Sequence, residues 1–228
     1  MPDGGNFVGV GLYTIPEAAR LSGVAPSRIR RWVFGPDGRT PLFRQLPRLD
    51  GQDALGFYNL VEVLFVRDLI AQGVTWHSIR RAIELARAAM REDHPFAARK
   101  LHTDGRTVFL EAANETGDRQ LLNLLDGNFA MFDVLERSFL KTVTFDGPEG
   151  RANTWRPQET LDRIVVDPAR SFGRPIDRDT GIPTDVLATA LKAEKGDAER
   201  VARWWKVPVE AVHQAAEFEV RLGLRVAA

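Results

Sequence analysis

Residues 13–33, YTIPEAARLSGVAPSRIRRWV, read as two short helices around a tight glycine turn, and the rest of the chain is organised around them. Thr14 and Glu17 have the T-x-x-E spacing of a capping box, in which the hydroxyl accepts a backbone N–H and the carboxylate reaches back. Pro16 falls in the first turn, where a missing N–H costs nothing. Ile15, Ala18, Ala19 and Leu21 form one apolar side, Gly23 permits a left-handed turn, and Val24 and Ile29 give the second helix something to bury. That second helix begins near Pro26 without a good N-cap, because Ala25 cannot accept a backbone hydrogen bond. Its polar positions are Ser27, Arg28, Arg30 and Arg31, three arginines with no acid among them. A helix of this charge and length fits the major groove, where arginine pairs with guanine or holds phosphates. The alternative is a solvated basic face on an ordinary helical hairpin.

Composition bounds the rest. The 228 residues are 44% hydrophobic and 27% charged, the balance of a globular chain long enough to bury a sizeable core. No apolar run approaches the ~18 residues of a membrane span. The start, MPDGGNFVGVG, lacks the features of a signal peptide, so a cytoplasmic location is expected. With no cysteine, disulfides, thiolate metal sites and cysteine nucleophiles are excluded. Net charge is zero, yet residues 25–48 carry six arginines (Arg28, Arg30, Arg31, Arg39, Arg44 and Arg48) against Asp37 alone. Because phosphate attraction acts within a Debye length of about 8–10 Å, the local patch is what matters.

After Val33 the stretch FGPDGRTPLFRQLPRLDGQDALGFYN is too rich in Gly and Pro for a long helix and reads as a β-hairpin with a loop. Arg39, Arg44 and Arg48 can flank a duplex there as a wing, or be exposed arginines on a connector. Asn59 is placed to cap a helix through Leu60, Val61, Val63, Leu64, Val66, Leu69 and Ile70, ending at Gly73. Thr75 is placed to cap the next, with Ile79, Ala82, Ile83 and Ala86 at helical spacing.

The order of these pieces resembles the MerR-type winged helix-turn-helix. Tyr13, the pair Arg31-Trp32 and Tyr58 stand where that family has an aromatic opening the first helix, an Arg-aromatic pair closing the recognition helix and a tyrosine before the third. The resemblance implies that Arg28, Arg31 and Tyr58 contact DNA, Tyr58 through a phosphate.

From Phe96 to Arg156, Phe, Leu and Val runs are separated by Asp-Gly pairs, which are turn signals. Strands are expected near 98–103, 106–112, 119–124, 139–145 and 153–156, with a helix near 129–137. Phe109, Leu122, Leu124, Phe132, Leu135 and Val143 are its expected core.

The last segment opens with the strand-like IVVDP, passes a Gly/Pro loop, and then gives helices near 184–194, 197–205 and 208–221. Asp197 and Pro208 mark starts, Gly196 and Gly223 stops. Asp167-Pro168, Phe172-Gly173-Arg174-Pro175-Ile176, Thr180, Ile182-Pro183 and Ala215-Ala216 make it similar to a domain of VapB-like antitoxins encoded beside PIN-like ribonuclease toxins. Gly181 stands where that domain usually has arginine. The helix at 208–221 carries Glu210, Glu217 and Glu219 against Arg221, so DNA would repel it. Trp204, Trp205, Val212 and Phe218 form either a core or a partner surface.

Catalysis is not expected. The four histidines are scattered, Asp177-x-Asp179-x-Gly181 lacks the register of a calcium loop, and no phosphate-binding glycine motif or nucleophile elbow is present. No cofactor or metal is expected either. The expected fold class is therefore α+β, mainly helical, in three parts: a winged helix-turn-helix over 11–91, a small α+β module over 96–158 and a helical antitoxin-type domain over 160–228. The expected function is a DNA-binding antitoxin that neutralises a PIN-like ribonuclease and autoregulates its operon as a homodimer on double-stranded operator DNA. Ser27, Arg28, Arg30, Arg31, Arg39, Arg44, Arg48 and Tyr58 would meet DNA, and Arg174, Arg178, Trp204, Trp205 and Phe218 the toxin. The alternative is a one-component MerR-type regulator answering to a small-molecule effector.

Overall fold

The computed structural model describes residues 10–35, 41–43, 54–126, 139, 141–147 and 150–224. Helix α1 spans Ile15–Ser22 and α2 spans Pro26–Phe34. The capping box forms as expected: the Thr14 amide donates to Glu17 Oε2 at 2.7 Å and the Glu17 amide to Thr14 Oγ1 at 3.3 Å. Gly23 ends α1 at φ 72°, and α2 starts at Ala25 with no side-chain cap. Ile15, Ala18 and Leu21 face Ile29, Trp32 and Val33 in a buried layer.

A two-stranded antiparallel ribbon joins β1 (Tyr13–Thr14) to β2 (Ala54–Leu55), with Tyr13 opposite Leu55. Most of the expected wing hairpin lies outside the described residues, Arg39, Arg44 and Arg48 with it. Its described piece is pinned at Leu42, whose amide donates to the Trp32 carbonyl (2.8 Å) and whose carbonyl accepts from Arg87 Nη2 (2.6 Å).

Helix α3 (Phe57–Ala71) begins two residues before Asn59. Asn59 therefore sits inside the first turn, and its side-chain oxygen reaches back to the Gly56 amide at 3.1 Å. This helix is buried almost all round, as a central helix must be when its sequence is apolar on every side. Thr75 caps α4 (Trp76–Met90) through the Ser78 amide, and Ile79, Ala82, Ile83 and Ala86 turn inward as their spacing predicts.

The middle of the chain departs from expectation. The three strands expected over 98–124 are helices: α5 (Arg99–Asp104), α6 (Arg106–Thr116) and α7 (Arg119–Asp126). Gly105 has right-handed helical dihedrals, so Asp104-Gly105 is no hairpin turn. Gly105 closes α5, its amide donating to the Leu101 carbonyl at 2.9 Å, and a Cβ there would run into that same carbonyl. Val108, Phe109, Ala112 and Ala113 are buried at helical spacing. The helix expected at 129–137, with Phe132 and Leu135, lies outside the described residues. The two strands expected further on do form, as β3 (Val143–Phe145) and β4 (Ala152–Trp155), turning at Gly147.

These two strands continue into an antiparallel sheet of order β3-β4-β5-β6, in which β5 is Ile164–Val166 and β6 is Pro175–Asp177. The sheet thus takes strands from both sides of residue 160. Helices α8 (Thr184–Ala193), α9 (Ala198–Trp205) and α10 (Val209–Leu224) follow, close to their expected limits, although α10 runs through Gly223. The class is mainly helical α+β. One hydrophobic cluster runs from Tyr13 and Ile15 through Phe65, Phe96 and Phe109 to Val212 and Phe218. Among the described residues no helix is long and apolar enough to cross a membrane.

Candidate nucleic-acid interface

Burial of Ile29, Trp32 and Val33 leaves the other side of α2 outward, and Ser27, Arg28, Arg30 and Arg31 are all exposed. Ser27, Arg28 and Arg31 line one cleft with Ala25, Trp32, Ile70 and Trp76, and no acid lines it. The cleft floor is aromatic. Trp32 stacks on Trp76 with ring centroids 5.8 Å apart and planes 17° from parallel, joining α2 to the first turn of α4.

The helices behind this face are fixed by polar contacts. Arg67 Nη1 on α3 donates to the Ser22 carbonyl at 2.8 Å, holding the end of α1. Asp118 accepts from the Thr75 amide (3.0 Å), Ser78 Oγ (2.6 Å) and the Leu121 amide (3.0 Å). Burial opposes its ionisation, but those donors prevail and hold the carboxyl down at about 2. The positive end of α4 is thus neutralised by the chain's own carboxylate.

Tyr58 is half-buried. Its ring lies 5.7 Å from the His94 ring, and the guanidinium of Arg151, the residue before β4, sits 5.7 Å from its centroid. Arg151 is paired with Glu92 at 2.8 Å. Beneath His94 is the fully buried Glu62, its Oε2 3.0 Å from His94 Nδ1. Burial pushes the Glu62 pKa up, against the opposing pull of His94, Arg87 and Asn59.

The residues expected to meet a toxin divide. Phe218 is fully buried and serves the core. Trp204 is 61% exposed under the Arg200 guanidinium, 4.8 Å from its ring, and Trp205 is exposed beside it. Arg174 is paired with Asp185, and Arg178 with Asp179 at 3.1 Å. At Gly181, where φ is +76°, a Cβ would lie 2.6 Å from Arg170 Nη2. The Arg170 guanidinium fills that space, donating to the Arg178 carbonyl at 2.7 Å.

The outward placement of the α2 arginines was expected from the sequence, whereas Trp76 beside them in the cleft and Arg151 over Tyr58 were not. A tryptophan directly after a capping threonine was the available signal for Trp76. Nothing local pointed to Arg151.

No family model matches the chain. It is 25% identical over 202 residues to the Mycobacterium tuberculosis (strain H37Rv) protein named "Putative antitoxin VapB45", a match covering 81% of this chain and 84% of that protein. The X-ray crystal structure of Rv2018 from Mycobacterium tuberculosis matches with a TM-score of 0.74 at 23% identity, over 91% of this chain and 98% of that one. The chain therefore shares the fold of Rv2018 and is distantly similar in sequence to a protein named as an antitoxin.

Proposed function

We propose that this chain is a cytoplasmic DNA-binding antitoxin of a type II toxin-antitoxin system, which binds and blocks a PIN-like ribonuclease and represses its own operon. The observation that carries the reading is the acid-free, outward face of α2, with Ser27, Arg28, Arg30 and Arg31 exposed beside the capped helix α1. The similarity to a protein named as an antitoxin supplies the partner class. Two copies would set α2 into successive major grooves of a palindromic operator. Arg28 and Arg31 would reach base edges, and Tyr58 and the wing arginines Arg39, Arg44 and Arg48 phosphates. Trp204 and Trp205, with Arg174 and Arg178, are the candidate toxin contacts, since exposed tryptophan and arginine are the residues that anchor interfaces.

A second reading has one observation in its favour. A small cavity of about 140 Å³ lies between α1 and the C-terminal helices, lined by Leu12, Arg20, Arg174, Asp185, Glu219 and Leu222 among others. A one-component regulator would place an effector there.

Co-expression with the neighbouring open reading frame, with only this chain tagged, separates the two. The antitoxin reading expects a complex that survives size exclusion and is lost on removing residues 160–228. It also expects salt-dependent retardation of the chain's own promoter, with Arg28→Ala and Arg31→Ala each costing about 1–3 kcal/mol of binding. Retardation without any complex overturns the antitoxin reading in favour of the effector.

A further inference from the structure

We infer that Trp76 reads the 5-methyl group of a thymine in the operator, one base step from a guanine held by the arginines of α2. This rests on the DNA-binding reading and deepens it, from a class of ligand to the bases that one cleft selects. Trp76 is the sole large apolar side chain exposed among the described residues of 11–91, and it stands in the cleft that Ser27, Arg28 and Arg31 line. Its plane is set before DNA arrives. The ring lies 17° from parallel on the buried Trp32, and Thr75 caps the helix that carries it through the Ser78 amide. A ring fixed in this way meets a ligand with little further loss of freedom.

The chemistry of the cleft selects among the bases. Arg28 and Arg31 are donors only, and an indole N–H is another donor. In the major groove, bidentate arginine selects guanine O6 and N7, whereas adenine N6 and cytosine N4 require an acceptor. Among the described residues lining the cleft, the Ser27 hydroxyl is the only side-chain acceptor. What apolar surface recognises in that groove is the thymine methyl. Guanidinium on guanine and indole on methyl therefore divide the cleft between neighbouring bases. At about 480 Å³ it has room for about two base steps of 3.4 Å each. It also lies at the correct end of α2, since Ala25, Ser27 and Arg28 line it and the first residues of a recognition helix are those that reach base edges. The competing place for the ring is against sugar or phosphate, where it would be blind to the methyl.

Thymine can be exchanged for uracil, position by position, in the promoter duplex, and retardation by the full chain measured for each duplex. Uracil pairs as thymine does and lacks only the methyl. At one thymine beside a guanine in a half-site, the exchange should weaken binding of the parent about fourfold, the value for one methyl withdrawn from water. In Trp76→Ala the thymine and uracil duplexes should bind alike. Loss of the Trp32 stack lowers affinity for both duplexes equally, so their ratio separates the methyl contact from the support that Trp76 gives α2. Trp76→Gln, which keeps a long side chain but ends it in a polar amide, should lose the ratio in the same way. A parent that binds every uracil duplex as tightly as the thymine duplex, or a uracil penalty that both variants retain, overturns the inference and leaves the DNA-binding reading standing. A parent that retards no promoter duplex overturns that reading first, and the methyl contact with it.

Discussion

The Tyr13 hydroxyl donates a 2.9 Å hydrogen bond to the Gly173 carbonyl, 160 positions away in sequence. It fastens the strand that opens the helix pair to the loop that precedes β6. The neighbouring Leu12 amide repeats the link, donating to the Phe172 carbonyl at 3.1 Å. Burial, reinforced by the Glu17 and Asp167 carboxylates, pushes the phenol far above its ordinary pKa, so Tyr13 remains a donor throughout the working pH range. The loop is shaped for this contact. Ser171 and Phe172 both adopt left-handed dihedrals, and Gly173, at φ 79°, brings its backbone against the ring. A Cβ there would fall inside the van der Waals shell of the Tyr13 oxygen.

Gly173→Ala therefore combines a disfavoured positive φ with a clash against a buried ring. We expect a loss of about 1–3 kcal/mol, the range for non-glycine residues held in such conformations. Tyr13→Phe keeps the ring and removes only the donor, leaving the Gly173 carbonyl without that partner, at about 1–3 kcal/mol. Urea unfolding of both variants checks this. A parental midpoint for Gly173→Ala would mean that the loop moves freely off the helix pair.

Asp118 links the turn after α6 to the start of α4, and its stability contribution depends on pH in a defined direction. Its folded pKa of about 2 lies below the ordinary 3.8. The contribution is therefore fully present above 3.8 and is lost as pH falls from 3.8 through 2. The shift corresponds to about 2 kcal/mol at neutral pH. Asp118→Ala should lower stability by at least that amount at pH 7, with the difference from the parent narrowing below pH 4. A difference that stays constant from pH 7 to pH 3 would show that the carboxylate charge has no part in it.

Glu62 behaves in the opposite sense. Its folded pKa is raised by burial, so its contribution is full below 4.5 and diminishes as pH rises. Its Oε1 has no hydrogen-bond partner among the described residues, which leaves His94 as its main support. His94→Ala removes that support and raises the folded pKa further. The cost should be about 1–3 kcal/mol at pH 8, as for a buried polar group left without its hydrogen-bond partner. Below pH 4.5 the carboxyl is neutral folded or unfolded, and only the packing of the imidazole is lost. Thermal melts of parent and variant at pH 4 and pH 8 read this directly; equal losses at both would remove Glu62 from the account.

What the sequence revealed was local. The capping box of Thr14 and Glu17, the left-handed Gly23 and the caps at Thr75 and Asp197 each depend on residues within one turn, and each is where the pattern puts it. The error at 98–124 arose where local signals fit two structures. Gly105 reads as a turn glycine, but it closes α5, where a Cβ would strike the Leu101 carbonyl one turn back. The apolar pairs Val108-Phe109 and Ala112-Ala113 fit a helix as well as a strand, and packing against α4 decided between them. On the candidate interface, the exposure of Arg28, Arg30 and Arg31 followed from the burial of Ile29 and Trp32, so it was legible. The Trp32–Trp76 stack and the Arg151 cover on Tyr58 bring together residues 44 and 93 positions apart, and no periodicity encodes them. Equally, the aromatic side chains Trp204, Trp205 and Phe218 are told apart by the way their helices turn them, the tryptophans outward and the phenylalanine inward.

Trp76 offers a direct optical test of the cleft. It is exposed at the first turn of α4, stacks on the buried Trp32 of α2, and lines the same cleft as Arg28 and Arg31. DNA seated on those arginines must change its surroundings, whereas Trp32 and Trp155 are buried away from solvent and Trp204 and Trp205 lie on α9. Titration with promoter duplex should therefore quench or shift the tryptophan emission of the parent. The change should be absent in Trp76→Phe, which keeps an aromatic partner for Trp32. Trp76→Ala also removes the stack, and since such pairs contribute about 0.5–1.5 kcal/mol, α2 should sit less firmly and DNA affinity fall by a few-fold. If the full emission change survives in Trp76→Phe, the duplex does not enter the cleft and Arg28 and Arg31 meet it from another side.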